Sequence, residues 1–397
     1  MKKEEIKIHQ ICVITGTRAE YGLLRQILFK LKKYEDIDLK LAVTGSHLSP
    51  RFGNTQNEII KDGFDDFYRV VIPMEDDSKE GMAVSTGIAM TKFAELFSDY
   101  KPDIVLVLGD RFEIFAAVAA AHLIGIPVAH ISGGDITEGA VDDAIRHCLT
   151  KMSSLHFPGC EQSAKRIIQM GEQPDRVYNV GELGVENCLN IPFMRRSELA
   201  IDLNYRNIMG NYCVVTFHPV TMETNTAAIQ VYELIKAMDS LKGMSYVITM
   251  ANADASGRQI NDIWIKEGKK RPNWLVVSSL GVLRYLSAMK YAKAVIGNSS
   301  SGVIEAPSMG TPTVNIGDRQ KGRMMSDSVV CCSPEKEMIE KTLGIVLTDD
   351  FQEKAKRVIS PFGDGTTSSQ IVKIIMEFLN NDIEINRKHF YDIKFTI

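Results

Sequence analysis

DIVLVLGDRFEIFAAVAAAHLIGIPVAHIS, residues 103–132, holds two short apolar runs separated by a stretch of helical spacing. DIVLVLGD (103–110) and PVAHIS (127–132) are uniformly apolar rather than alternating, as expected of strands buried on both faces. EIFAAVAAAHLIG joins them as a helix. A strand, a crossover helix and a second strand within roughly 30 residues form a βαβ unit, which implies a parallel sheet.

The same alternation runs outward in both directions. ICVITG (11–16), LKLAVTG (39–45) and SLHFPG (154–159) are further strands, with YGLLRQILFKLKK and MAVSTGIAMTKFAELFSDY as helices. The pattern lapses at ENCLNIPFMRRSELAIDLNYRN (186–207), which is polar and poorly periodic and is expected to connect two domains. A second series follows: YCVVTFHPV (212–220), SYVITMA (245–251), NWLVVSS (273–279), KAVIGNS (293–299) and TPTVNIG (311–317), with LGVLRYLSAMKYA as a helix between two of them. The expected fold class is α/β, with two doubly wound Rossmann-like domains facing across a cleft. The expected bounds are an acid-bearing amino-terminal domain at 1–185, a linker at 186–207, a carboxyl-terminal domain at 208–370, and a helix and tail at 371–397 that packs back on the first domain.

Bulk properties agree with this division and narrow the function. A chain of 397 residues exceeds what one core ordinarily supports. With a net charge of −4 it has no basic excess to neutralise phosphates, so neither a nucleic acid nor a membrane surface is an expected partner. No run reaches the roughly 18 apolar residues of a membrane span, and MKKEEIKIHQ lacks the apolar core of a signal peptide. A cytoplasmic protein is expected. The seven cysteines show no CxxC spacing, which suits buried small hydrophobes, the adjacent Cys331 and Cys332 included, better than a disulfide framework or a zinc site. The histidines lack HxH and HExxH spacing, so no metal and no cofactor are expected.

Ligands of doubly wound sheets bind outside the carboxyl ends of the strands, and the unusual residues of this chain lie there. GTRAEYG (16–22) offers a tight turn at Gly16, a helix amino terminus and Arg18, suited to an anion; the plainer reading is a surface arginine at an ordinary strand–helix turn. GDRFE (109–113) sets Asp110 beside an arginine at the end of a very apolar strand, where an unpaired charge is costly. In HISGGDITEGAVDDAIRH (130–147), Gly133 and Gly134 turn the chain, Asp135 and Glu138 lie on the loop, and Asp142 or Asp143 caps the next helix. Asp142 to Arg146 and Asp143 to His147 are also i,i+4 pairs that favour a helix without any catalysis. Capping does not account for all four acids.

In the second series His218 ends a strand before Pro219, and Asn252 with Asp254 ends the next, placed to bind a sugar or base edge. GNSSSGVIEAPSMGTP (297–312) opens a helix with serines and a glycine, which makes a phosphate cradle without the P-loop lysine. Glu305 on that helix is placed to accept from paired ribose hydroxyls. GDRQKGR (317–323) adds Arg319 and Arg323. The second domain thus suits a nucleoside diphosphate, and the first supplies acids to whatever the diphosphate carries.

Those motifs resemble the hydrolysing UDP-N-acetylglucosamine 2-epimerases, which have the glycosyltransferase-B architecture. The similarity runs from GTRAEYGLL through GDRFE, GGDITEGAVDDAIRHCLTKMSSLHF and GEQPDRVYNVGELG to GNSSSGVIEAPSMGTP, GDRQKGR and SPFGDGTTSSQIV. It implies elimination of UDP from C1 with loss of the C2 proton, leaving a glycal. Water then adds at C1, with reprotonation of C2 from the other face. On UDP-N-acetylglucosamine this yields N-acetylmannosamine and UDP, for sialic-type acid synthesis. By the resemblance Asp110, Asp142 and His218 are catalytic, Arg18, Ser299, Ser300 and Arg319 contact the diphosphate, Glu305 clamps the ribose, and Asn252 helps to hold nucleotide or sugar.

One position departs from the family pattern. Many members read HIEGGE, with a catalytic glutamate where this chain has Ser132, and the loop here is one residue longer. Glu138, or else Asp135, is expected to supply the missing carboxylate. GGDITEG and the GELG ending also resemble enzymes that process the 2,4-diacetamido-2,4,6-trideoxy sugar nucleotide of legionaminic acid synthesis, which is the alternative substrate. Other classes left open are a glycosyltransferase of the same architecture, a non-hydrolysing 2-epimerase and a nucleotide-sugar binding protein. Expected partners are a UDP-sugar, UDP and further copies of the chain, as a homodimer or homotetramer, suggested by the long apolar helix 81–99 and the family.

Overall fold

The computed structural model describes residues 7–50, 53–76, 78–137, 141–219, 227–251, 255–380 and 388–394. The chain forms two units, one of residues 1–136, 140–183 and 366–397, the other of residues 137–139 and 184–365.

The first unit contains β1 (His9–Thr15), β2 (Ile37–Thr44), β3 (Phe67–Val70), β4 (Ile104–Leu108), β5 (Val128–Ile131) and β6 (Leu155–Phe157). Its helices are α1 (Arg18–Leu31), α2 (Gln56–Lys61), α3 (Lys79–Tyr100), α4 (Phe112–Ile124), α5 (Val141–Met152) and α6 (Glu161–Gln169). The strands form one parallel sheet in the order β3-β2-β1-β4-β5-β6. Strand alternation divides the core between the two faces. Ile104, Leu106 and Leu108 of β4 share one cluster with Leu24 and Ile27 of α1, while Val105 and Val107 share another with Phe93 and Phe97 of α3. Burial on both faces is why β4 is apolar without interruption.

The second unit begins with α7 (Leu183–Asn190), whose first residue still belongs to the first unit, and α8 (Arg196–Asp202). It continues through β7 (Tyr212–Thr216), α9 (Ala227–Ser240), β8 (Ser245–Thr249), α10 (Ala255–Gly268), β9 (Trp274–Val277), α11 (Gly281–Tyr291), β10 (Ala294–Gly297), α12 (Ser300–Ser308), β11 (Thr313–Ile316), β12 (Val329–Cys332), α13 (Lys336–Val346) and α14 (Asp349–Lys356). Its sheet is also parallel, ordered β12-β11-β10-β7-β8-β9. Renumbered from its own first strand, each sheet has the order 3-2-1-4-5-6. The winding reverses between β1 and β4 in one and between β7 and β10 in the other, and these are the switch points where such sheets bind ligands.

Helix α15 (Thr367–Asn380) returns to the first unit. Ile371, Val372, Ile375 and Leu379 enter the same cluster as α1. Lys30 Nζ donates to Ser368 Oγ and Ser369 Oγ at 2.6 Å each, and Thr367 Oγ1 donates to the Val180 carbonyl at 2.9 Å.

Three features differ from the expectations. The stretch 186–207 is no bare connection: its Leu199, Ala200 and Tyr205 are buried in one cluster with Tyr212 and Val214. It looks polar because only one face is covered. Strands β3 and β12 join the ten expected strands as the outer strands of their sheets. Cys331 is exposed and Cys332 half-buried, because β12 lies at an edge, whereas Cys12, Cys160, Cys188 and Cys213 are buried.

Candidate active site

In the first unit the acids collect at the carboxyl edge of β4 and the start of α5. Arg146 lies on α5 with its side chain buried, and its guanidinium is paired with Asp110. Arg146 Nη1 also donates to the Asp135 carbonyl at 2.9 Å and lies 3.7 Å from Asp143 Oδ1. Asp143 faces His147 Nε2 at 3.7 Å, the expected helical pair. Asp142, in the first turn of α5, keeps solvent contact, yet its pKa is raised. Partial desolvation is the larger cause and the negative charge of Asp110 the second, against Arg111 and Arg146. Asp110 therefore lies close enough to Asp142 for its charge to be felt there.

Beneath this edge is a second pair of acids that the sequence reading did not single out. Glu20 closes a capping box on α1: Thr17 Oγ1 accepts from the Glu20 N–H and Glu20 Oε2 from the Thr17 N–H, each at 3.3 Å, and Oε2 also accepts from the Gly16 N–H at 2.7 Å. Its T-x-x-E spacing is the one sequence signal for this role. Burial pushes the Glu20 pKa up to about 7, helped by the charge of Glu113 and opposed by the Gly16 N–H and Arg111. Glu113 is fully buried and accepts from Arg111 Nε at 2.6 Å. A Cβ on Gly16 would lie 2.5 Å from Glu113 Oε1, so a side chain at 16 would displace that carboxylate. Arg18 is more than half exposed, with Nε 2.8 Å from Glu58 Oε1.

In the second unit, Asn298 ties together the predicted residues of the switch point. It is 1 % exposed. Its Oδ1 accepts from the His218 N–H at 2.7 Å and its Nδ2 donates to the His218 carbonyl at 2.8 Å, which joins the end of β7 to the end of β10. The Asn298 carbonyl accepts from Arg319 Nη1 at 3.0 Å and from Gln320 Nε2 at 2.9 Å. Ser299 is the N-cap of α12 and makes no side-chain cap, its hydroxyl lying 3.0 Å from Ser301 Oγ. Ser301 Oγ in turn lies 2.6 Å from the Tyr285 hydroxyl. Ser300 is the first residue of the helix, so His218, Ser299, Ser300 and Arg319 gather around an amino terminus suited to an anion. One turn on, Glu305 is partly buried, and burial pushes its pKa up to about 7, with Arg323 opposing.

The structure thus brings Asp110 and Asp142 together in one unit and His218, Ser299, Ser300, Glu305 and Arg319 together in the other. Arg18 is held by Glu58. Glu138 and Asn252 lie outside the described residues. Among the described residues there is no group of three or more His, Cys, Asp or Glu placed to hold a metal ion, and no helix is long and apolar enough to cross a membrane.

Two six-stranded parallel sheets of this winding define an α/β protein of the glycosyltransferase-B type. The chain belongs to the UDP-N-acetylglucosamine 2-epimerase family, whose model matches residues 29–376. It is 36 % identical over 385 residues to the GDP/UDP-N,N'-diacetylbacillosamine 2-epimerase (hydrolyzing) of Campylobacter jejuni, covering 97 % of this chain and 99 % of that one. It is 37 % identical over 385 residues to the polysialic acid biosynthesis protein P7 of Escherichia coli, with 97 % of each covered. In fold it is similar to the crystal structure of the Neisseria meningitidis UDP-GlcNAc 2-epimerase bound to UDP-GlcNAc, with a TM-score of 0.78 at 19 % identity over 93 % of this chain and all of that one.

Proposed function

We propose that this chain is a hydrolysing 2-epimerase of a UDP-linked 2-acetamido sugar, and that the sugar is 2,4-diacetamido-2,4,6-trideoxyglucose (UDP-N,N'-diacetylbacillosamine). The observation that carries the reaction class is the gathering of acids at the switch-point edge, where Asp110 pairs with Arg146 and its charge reaches Asp142. C2–H of a 2-acetamido sugar has no adjacent carbonyl to acidify it. The C1–O bond must therefore loosen early, and carboxylates near C1 stabilise the developing positive charge. Asp142, its carboxyl raised by desolvation and by the charge of Asp110, is suited to general acid–base work. The amino terminus of α12, with Ser299, Ser300 and Arg319, receives the UDP diphosphate, and Glu305 accepts from the ribose hydroxyls. His218, fixed by Asn298, faces the leaving diphosphate.

The sugar is supported by 36 % identity to a diacetylbacillosamine enzyme over nearly the whole of both chains, together with the GGDITEG and GELG segments. Such a product feeds legionaminic-type acid synthesis. UDP-N-acetylglucosamine is the second reading, favoured by the description of the family model and by the reaction class shared with it. UDP release from each nucleotide sugar, measured without an acceptor, tests the choice. A kcat/KM for the diacetamido sugar at least about tenfold above that for UDP-N-acetylglucosamine, roughly 1.4 kcal/mol of discrimination, is expected. The reverse preference overturns the choice of sugar, and no release from either overturns the reaction.

A further inference from the structure

Ser132 follows β5 with φ +59°, in the left-handed region, where a residue other than glycine is strained. Its N–H donates to the Phe157 carbonyl at 3.0 Å, which anchors it to the end of β6. Its hydroxyl donates to Glu182 Oε2 at 3.0 Å. Glu182 is partly buried and belongs to the same unit, in the GELG segment just before α7. Its side chain lies over Gly159: a Cβ there would come within 1.8 Å of Glu182 Oε1, so any side chain at 159 would displace this carboxylate. Backbone strain at Ser132, a hydroxyl aimed at a carboxylate and a glycine that makes room for it converge on one point. That point is the carboxyl edge of β5 and β6, on the sheet whose β4 is followed two residues on by Asp110.

The proposed reaction needs acid–base groups at two separate places, because the proton leaves C2 on one face and returns on the other. Asp110, paired with Arg146 of α5, and Asp142, in the first turn of that helix, stand at one edge and supply one of them. Asp135 is drawn elsewhere: its Oδ1 accepts from Ser163 Oγ at 2.6 Å, and its carbonyl holds Arg146.

We propose that Glu182 is the second acid–base group, its carboxylate brought by Ser132 to the place that the family pattern gives to a glutamate at residue 132. The proposal rests on the epimerase reading above. In the first half-reaction the C2–H bonding pair becomes the C1–C2 π bond, the C1–O pair leaves on the UDP oxygen, and the proton passes to one carboxylate. In the second, water gives its hydroxyl to C1 and its remaining proton to the group that has lost one, while C2 takes a proton from the carboxylic acid on the opposite face. Glu182 serves one face and the Asp110–Asp142 pair the other. Ser132 is a positioning residue.

Glu182→Gln keeps the shape and the hydrogen bond but cannot exchange a proton. Its kcat for UDP release is expected to fall roughly 10²–10⁴-fold, with KM changed less than about threefold and one limb of the pH–kcat profile gone. A kcat within about threefold of wild type, or a lower kcat with both limbs kept, overturns the proposal, since a structural role leaves the profile unmoved. Should Glu182→Gln fail to melt cooperatively, Ser132→Ala carries the test: a displaced limb supports the proposal and an unmoved one overturns it. Wild-type protein that releases no UDP from either nucleotide sugar removes the epimerase reading instead, so the two failures are distinguishable.

Discussion

Asp142 and Glu305 are both carboxyls held above their ordinary range, for different uses. Asp142 is raised by partial desolvation and by Asp110. Replacing it with Asn removes the proton-exchanging group at almost constant volume, and UDP release is expected to slow by roughly 10²–10⁴-fold with little change in KM. Steady-state kinetics check this; a threefold loss or less contradicts a catalytic role. Glu305 is raised to about 7 by burial. If it accepts from the ribose hydroxyls, Glu305→Gln weakens UDP binding by roughly tenfold or more while leaving the C2 chemistry of bound substrate intact. Titration calorimetry with UDP separates the two. Unchanged affinity contradicts the ribose assignment.

Among the elements, the strand–helix turns at the two switch points carry the site, and each depends on one small buried feature. In the first unit Gly16 gives room to Glu113; Gly16→Ala drives a methyl within 2.5 Å of Oε1 and is expected to displace both Glu113 and its partner Arg111. In the second, Asn298→Ala removes both side-chain hydrogen bonds to the backbone of His218, just beyond β7, and leaves those groups without that partner. A loss of about 1–3 kcal/mol in unfolding free energy follows, together with lower activity, because His218 is no longer fixed. Urea melts and activity on the same preparation check the pairing of the two losses. The inner strands were legible in sequence because β4 and β7 are buried on both faces and hence continuously apolar. Strands β3 and β12 were not: both are only four residues long, FYRV is interrupted by an exposed arginine, and VVCC, though apolar, is no longer than many helical or loop runs. Helix α8 was hidden because the charged residues of its open face mask the covered one.

Across the whole molecule, the chain's last described residues are secured by a buried ionic knot. Glu172 accepts from His156 Nε2 at 2.9 Å and from Lys151 and Lys388 at 2.6 Å each, and Lys388 also donates to the carbonyls of Lys151 and Ser153. Burial alone raises the Glu172 pKa, but these donors outweigh it and bring it down to about 2 from an ordinary 4.5. A carboxyl whose folded pKa is depressed stabilises above its unfolded value and loses that contribution as pH falls through the folded one. Glu172→Gln is therefore expected to destabilise by about 3 kcal/mol at pH 7, with the deficit shrinking between pH 4.5 and 2. A deficit that is constant over that range contradicts the assignment. This knot and Glu182 share a cause of illegibility. Their partners are distant in sequence, Glu172 with Lys388 and Ser132 with Glu182, and only the folded chain brings them together. Asp110, Asp142, His218 and Ser299 were legible because each directly follows a strand or opens the next helix, where the switch-point rule directs attention.

The central claim is that one chain breaks C1–O, exchanges the proton at C2 and adds water. Incubating the pure protein with UDP-N,N'-diacetylbacillosamine in deuterated water, without an acceptor, and examining the products by NMR tests it directly. The account predicts free UDP and a 2-epimerised sugar carrying deuterium at C2. A sugar released with its original C2 configuration and protium at C2, or a deuterated sugar still attached to UDP, contradicts it.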